Sequence, residues 1–189
     1  MRICKLGEEV LREQAKPVAE VTEELRSIFN EMFETMISAN GVGLAAPQIG
    51  RSERFFVIIA DDDVRRVFVN PQIIYKSEET TRYEEGCLSI PGVYEEIERP
   101  VKITVQALNE FGKPFTLEAD GMLSRIIQHE YDHLDGILYI DRGDEGFKEK
   151  TVEQFKKRAE RAAAKAEAKA RKQKSIAAKI AAKAKKESK

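Results

Sequence analysis

Histidine and cysteine are scarce in this 189-residue sequence, with two of each, and tryptophan is absent. Two cysteines exclude a disulfide-stapled scaffold, and the amino-terminal segment, with Arg2, Lys5, Glu8 and Glu9 among its apolar residues, has no secretory signal core. Together these point to a reducing, cytosolic compartment. No apolar run approaches the length of a membrane span, so no membrane association is expected. The net charge of -1 is small only because two regions cancel. Residues 1–147 hold 16 Lys+Arg against 28 Asp+Glu, or -12, and residues 148–189 hold 16 against 5, or +11. An acidic body is a poor nucleic-acid surface, whereas a tail of that density is attracted to phosphate backbones, more weakly as salt rises.

Both histidines fall in one run, Gln128-His129-Glu130-Tyr131-Asp132-His133, which has the form H-E-x-x-H. Positions four apart on a helix share a face, so His129 and His133 can grip one cation while Glu130 stands beside a water on that cation. The usual extension of this motif has a third histidine six residues on, but that position is Tyr139, although Gly136 is in place. The third ligand must then be a cysteine or a carboxylate, and Cys87, in Glu85-Gly86-Cys87-Leu88-Ser89, is the leading candidate. Cys4 has no comparable setting and reads as a small buried hydrophobe.

The rest of the chain supplies a frame. Leu25, Ile28, Phe29, Met32, Met36 and Ile37 recur at helical steps, predicting an amphipathic helix over about 22–39 that ends at Asn40-Gly41-Val42-Gly43. Short β-type runs are expected at 55–59, 67–69 and 73–75, the first two flanking the acidic loop 61–63. Alternation from Val101 to Ala107 and from Phe115 to Ala119 around the turn 109–114 predicts a half-buried hairpin. Met122, Leu123, Ile126 and Ile127 lead into the histidine motif, predicting a helix over about 120–135 with Asp120 as N-cap and Gly136 as its stop. A short strand over 137–140 is expected to follow. The fold class is α+β, with short antiparallel strands around a central metal-binding helix. Beyond 148 the composition turns to Lys, Ala, Arg and Glu, with Val152, Phe155, Ile176 and Ile180 nearly the only large apolar residues. This tail has high helix propensity but cannot bury a core of its own, and in the free protein it reads as a frayed, solvated helix.

Three segments, Gly41-Val42-Gly43-Leu44-Ala45-Ala46-Pro47-Gln48, Glu85-Gly86-Cys87-Leu88-Ser89 and the histidine run, together resemble the signature motifs of the bacterial peptide deformylase family. The similarity covers residues 1–147, including Lys16-Pro17-Val18, Val69-Asn70-Pro71 and Gly112-Lys113-Pro114-Phe115. The tail, 148–189, lies outside it. The resemblance implies removal of the formyl group from the amino-terminal methionine of nascent polypeptides. It implies Cys87, His129 and His133 as metal ligands and Glu130 as the proton carrier. Gln48, through its side-chain amide, and Leu88, through its backbone N–H, would stabilise the carbonyl oxygen, at about 3 kcal/mol per donor. Substrate would bind by strand addition beside Gly43, with Val42 and Ile126 as walls of a methionine pocket. The family implies Fe2+ in the cell, with nickel or cobalt as working substitutes and zinc less active, although two histidines and a cysteine suit zinc on affinity. It also implies docking of the basic tail near the ribosomal exit tunnel. Two other readings stay open at this stage. One is a zinc endopeptidase, which expects a downstream third ligand. The other is a non-enzymatic ribosome- or RNA-associated module whose tail is the active part.

Overall fold

A computed structural model describes the backbone of residues 1–187 and the side chains of residues 1–174. Ile176 and Ile180, named above for the tail, have side chains outside the described set, and Ser188 and Lys189 lie outside it altogether. The chain divides into two compact units, Met1–Glu149 and Lys150–Lys189.

The first unit is built on a five-stranded antiparallel sheet in the order β1-β2-β3-β6-β7: β1 Gly43–Ala45, β2 Phe55–Ile59, β3 Arg65–Lys76, β6 Lys102–Leu108 and β7 Pro114–Asp120. A separate two-stranded ribbon joins β4, Thr80–Cys87, to β5, Ile90–Pro100. Helix α1, Glu23–Ser38, packs Leu25, Phe29, Met32, Phe33 and Met36 against Leu44, Phe55, Val57, Val67 and Val69. Helix α2, Gly121–Leu134, packs Ile126, Ile127 and Leu134 with Phe56, Ile58, Phe68, Ile103 and Val105. Successive residues of a strand point to opposite faces, so Phe55 and Val57 serve one cluster while Phe56 and Ile58 serve the other. A strand covered on both faces reads as a continuous apolar run, as Phe55-Phe56-Val57-Ile58-Ile59 does. This places α2 as the central helix of an α+β fold.

Thr22 caps α1 by accepting the Leu25 N–H at 3.3 Å, and the helix keeps the expected extent to within a residue at each end. Gly136, at φ 70°, follows α2 as its stop, but Asp120 makes no side-chain capping bond. Two expectations are corrected. The runs 67–69 and 73–75 belong to one strand, β3, bent at Asn70, which has φ 50°. Pro71 offers no N–H there, and Asn70 turns its side chain to the Val18 backbone, donating to O and accepting from N at 2.8 Å each. The strand expected over 137–140 is instead a turn of 3-10 helix at Tyr139–Asp141, because Asp141 takes the Leu138 N–H at 2.8 Å and no strand of either sheet pairs with this segment. The ribbon strands β4 and β5 were not foreseen. They carry Glu84, Glu85, Glu95, Glu96 and Glu98 without clean apolar alternation, since a two-stranded ribbon buries little on either face.

The second unit forms most of helix α3, Glu145–Glu187. Thr151 and Phe155 are its buried side chains, while those from Lys156 to Lys174 are all exposed. Glu153–Lys157 and Glu167–Arg171 pair one turn apart, the arrangement that supports a solvated helix. No helix of the described residues is long and apolar enough to cross a membrane.

Candidate active site

The two histidines sit one turn apart on α2, with ring centroids 5.2 Å apart, and Cys87 closes the end of β4 against them. Cys87 Sγ lies 3.3 Å from His133 Nε2, and one ligand atom from each of Cys87, His129 and His133 lies within 4.8 Å of the others. This is the one such donor group among the described residues. Two N–H donors also face the sulfur: the Ser89 backbone at 3.4 Å and Gln48 Nε2 at 3.5 Å.

The other nitrogen of His129 is engaged. Its Nδ1 contacts Glu85 Oε2 at 2.9 Å, and donation from Nδ1 leaves the Nε2 lone pair for a cation. Glu85 is itself held by Arg99, through Nε at 2.6 Å and Nη2 at 2.9 Å, and by Arg125 Nη1 at 2.7 Å. Burial alone would push the Glu85 carboxyl up, but the His129 and Arg99 hydrogen bonds hold it well below the usual carboxylate range. Arg99 also donates to Asp132 at 2.8 Å, and Asp132 accepts two further bonds from Arg142 at 2.5 Å. Arg125 reaches the Ile97 and Thr81 carbonyls at 2.9 and 2.7 Å, tying α2 to both ribbon strands. Glu85, Arg99, Arg125 and Asp132 are all buried, so the ribbon that delivers Cys87 is locked to the histidine helix by a satisfied ionic network.

The donor set fits a first-row divalent cation: two imidazoles and one thiol, convergent, largely buried and with one imidazole oriented by a carboxylate. The competing proton is also visible. Burial pulls His129 down, yet hydrogen bonds with Cys87 and Glu85 outweigh it and raise the imidazole to about 10. His133 is driven the other way, by burial and by the neighbouring charge of His129. Cation binding at these nitrogens therefore competes with a proton.

Glu130 points from the same helix turn toward β1. Burial pushes its carboxyl up to about 7, and its Oε2 has no hydrogen-bond partner among the described residues. Its other oxygen rests where a Cβ on Gly43 would stand, 2.3 Å from that position. Glycine at 43 thus leaves room for Glu130, a demand additional to the close peptide approach expected from sequence. β1 is an edge strand of the five-stranded sheet, with its Ala45 N–H already bonded to Gln48.

Gln48 is buried in the 3-10 turn Ala46–Ile49, where its Oε1 accepts the Ala45 N–H at 2.8 Å. That bond fixes the amide so that Nε2 faces Cys87 and Ser89 Oγ, the latter at 3.2 Å. Leu88 lies in the turn between β4 and β5. Its side chain fills the space beside Gly41, where a Cβ would come within 2.7 Å. Val42, Gly43, Gln48, Cys87, Leu88, Ile126, His129 and Glu130 all border one cleft of about 650 Å³, with Val42 54% exposed at the rim, Ile126 buried, and His133 buried behind Cys87. Tyr139, standing where the extended motif has its third histidine, stacks on His129 at 6.0 Å and donates its hydroxyl to the Val93 carbonyl at 2.9 Å. It is a wall, not a ligand. Sequence reasoning missed Arg99, Arg125, Asp132 and Ser89. Ser89 and Asp132 stood inside the quoted motifs without an assigned role, Arg125 lies four residues before His129 on the same helix face, and Arg99 left no signal.

A family model for polypeptide deformylase matches residues 1–149. A peptide deformylase of Treponema pallidum is 54% identical over 145 residues, covering 77% of this chain and 89% of its own length. Among solved structures, the Thermotoga maritima peptide deformylase superposes with a TM-score of 0.73 at 44% identity, covering 76% of this chain and 97% of its own. The Legionella pneumophila enzyme gives 0.75 at 43%, covering 84% and 96%. With the family model spanning the whole first unit and relatives of this identity matched over most of their length, the chain belongs to the polypeptide deformylase family of hydrolases.

Proposed function

We propose that this protein removes the formyl group from the amino-terminal methionine of newly made polypeptides, releasing formate and a free amine. The observation that carries the reading is the convergence of Cys87, His129 and His133 beside Glu130, whose Oε2 is buried and has no partner among the described residues, on a cleft bordered by an edge strand. Cys87, His129 and His133 would hold one divalent cation, Fe2+ in the cell, with Ni2+, Co2+ or Zn2+ able to occupy the same donors. When bound, the cation supplies Lewis acidity, polarising the carbonyl and bringing the acidity of water toward neutrality.

The chain's own residues do the rest. The edge of β1 beside Gly43 pairs with the extended substrate backbone, and Val42 and Ile126 flank the methionine side chain. Water oxygen attacks the formyl carbon while Glu130 takes the proton, a role suited to a carboxyl poised at about 7. Charge that builds on the formyl oxygen is met by Gln48 Nε2, already oriented by its bond to Ala45, and by the Leu88 N–H. The C–N bond then breaks with its electron pair leaving on nitrogen, and Glu130 returns the proton to that nitrogen. Catalysis belongs to residues 1–147. The basic tail, 148–189, serves to dock the enzyme on ribosomal RNA in the cytoplasm, where formylated chains emerge.

Anaerobic metal analysis paired with turnover of a formyl-Met peptide tests site and reaction together. One equivalent of metal and release of formate, with acetyl-Met peptides and internal peptide bonds left intact, is the expected result. Comparable cleavage of acetyl-Met or internal bonds would overturn the assignment.

A further inference from the structure

The two groups assigned to the formyl oxygen come from different parts of the fold. Gln48 follows β1 of the five-stranded sheet, and Leu88 sits at the turn of the separate ribbon. Donors serving one atom must hold their spacing to a fraction of an ångström, which neither sheet enforces on the other. The Gln48 side chain crosses the gap through its bonds to Cys87 and Ser89, and the amino-terminal segment ties the two backbones together. The Cys4 N–H donates to the Gln48 carbonyl at 2.7 Å, and the Leu6 N–H donates to the Ser89 carbonyl at 3.0 Å. Between them, Lys5 Nζ donates to the Leu88 carbonyl at 2.6 Å. The segment is itself anchored from outside: Glu8 accepts the Lys5 backbone N–H at 2.7 Å and is bridged by Arg2.

Resting on the deformylase reading, we propose that Lys5 is a positioning residue of the reaction, setting the Leu88 peptide turn, and with it the Leu88 N–H, relative to Gln48. A charge-assisted bond to a carbonyl is among the stronger restraints available to an exposed side chain. Here it falls on the residue between Cys87 and Ser89, so the backbone dihedrals of Leu88 are held at both ends, by the donor cluster around the Cys87 sulfur and by Lys5 at its own carbonyl. Lys5 lies on the cleft wall but has no proton to exchange in the chemistry above. Its effect should therefore appear in the barrier and leave substrate affinity alone.

The test compares full-length wild type, Lys5→Ala and Lys5→Arg, each loaded with metal. Steady-state turnover of a formyl-Met peptide is measured beside backbone amide exchange in the peptide covering 87–90. The expected result for Lys5→Ala is a fall in kcat of about tenfold, well short of the loss from deleting an oxyanion donor outright, with KM within twofold and metal content unchanged. Exchange at 87–90 should quicken severalfold with the rest of the chain unaffected, and Lys5→Arg, which can still donate to the carbonyl, should recover most of both. A kcat within twofold of wild type, a loss confined to KM, a loss of metal, or unaltered exchange at 87–90 would each overturn the proposal. The two readings separate because amide exchange needs no turnover. A wild-type protein inert on formyl-Met peptide would reject the assigned reaction, while unchanged exchange in Lys5→Ala would reject the positioning role.

Discussion

Gly43→Ala adds one carbon and two hydrogens, and the structure says where the carbon goes. The new Cβ would stand 2.3 Å from Glu130 Oε1, 2.7 Å from its Cδ and 2.8 Å from its Cγ. Ordinary contact begins near 3.4 Å, so the carboxylate must retreat by about 1.1 Å (3.4 minus 2.3). Glu130 is only 4% exposed, and the clash reaches past the carboxylate to Cγ, so a simple rotation of the tip does not relieve it. A displacement of about 1 Å in a reacting group costs on the order of a hundredfold, or roughly 2.7 kcal/mol of barrier. The three atoms nearest the added carbon all belong to Glu130 and none is a Cys87, His129 or His133 donor, so metal content should be unchanged. The assay is kcat and KM on a short formyl-Met peptide with metal measured in the same preparation. A Gly43→Ala enzyme retaining kcat within threefold would refute the claim that Gly43 is glycine to make room for Glu130. A loss of metal would refute the claim that the effect runs through the carboxylate.

Glu130→Gln should keep its metal and lose several orders of magnitude in turnover, because the amide cannot carry the proton; activity within tenfold of the parent would sink the general-base assignment. Cys87→Ser replaces a soft thiolate with a poor ligand and should lose metal on dialysis, as read by elemental analysis; full retention would mean that the third ligand lies elsewhere. Arg99→Met leaves Glu85 and Asp132 each short of a buried partner and should cost about 3 kcal/mol in urea unfolding, the low end for a broken buried pair because Arg125 and Arg142 remain. Truncation after Arg158 keeps Thr151 and Phe155 but removes 11 Lys+Arg and 3 Asp+Glu, a change of -8 in net charge. Turnover of a short peptide should be unchanged while co-sedimentation with ribosomes at low salt is lost, and equal sedimentation would exclude the docking role.

The elements readable in advance are those whose signals are local. The helical spacing of Leu25, Phe29, Met32 and Met36 and the alternation from Val101 to Ala107 reflect which face is buried, and both appear as expected. His129 and His133 share a helix face because four residues make about one turn, which is a property of the helix and not of its surroundings. The match of three motifs to one family was equally legible, and the family model spanning residues 1–149 agrees with it. What required the folded chain is whatever depends on partners distant in sequence. Glu85 orients His129 only because the ribbon, invisible in a run of glutamates, carries it to α2, where Arg99 and Arg125 neutralise it. The segment 137–140 is apolar enough for a strand, but becomes a 3-10 turn in which Asp141 satisfies the Leu138 amide, a bond that the pattern of apolar residues does not announce. Gly43 looks like a loop glycine in sequence, and only the packing of Glu130, 87 positions later, gives the reason that no larger residue fits. A single chain position records what its side chain prefers; the space left for that side chain is set by atoms that arrive from elsewhere in the fold.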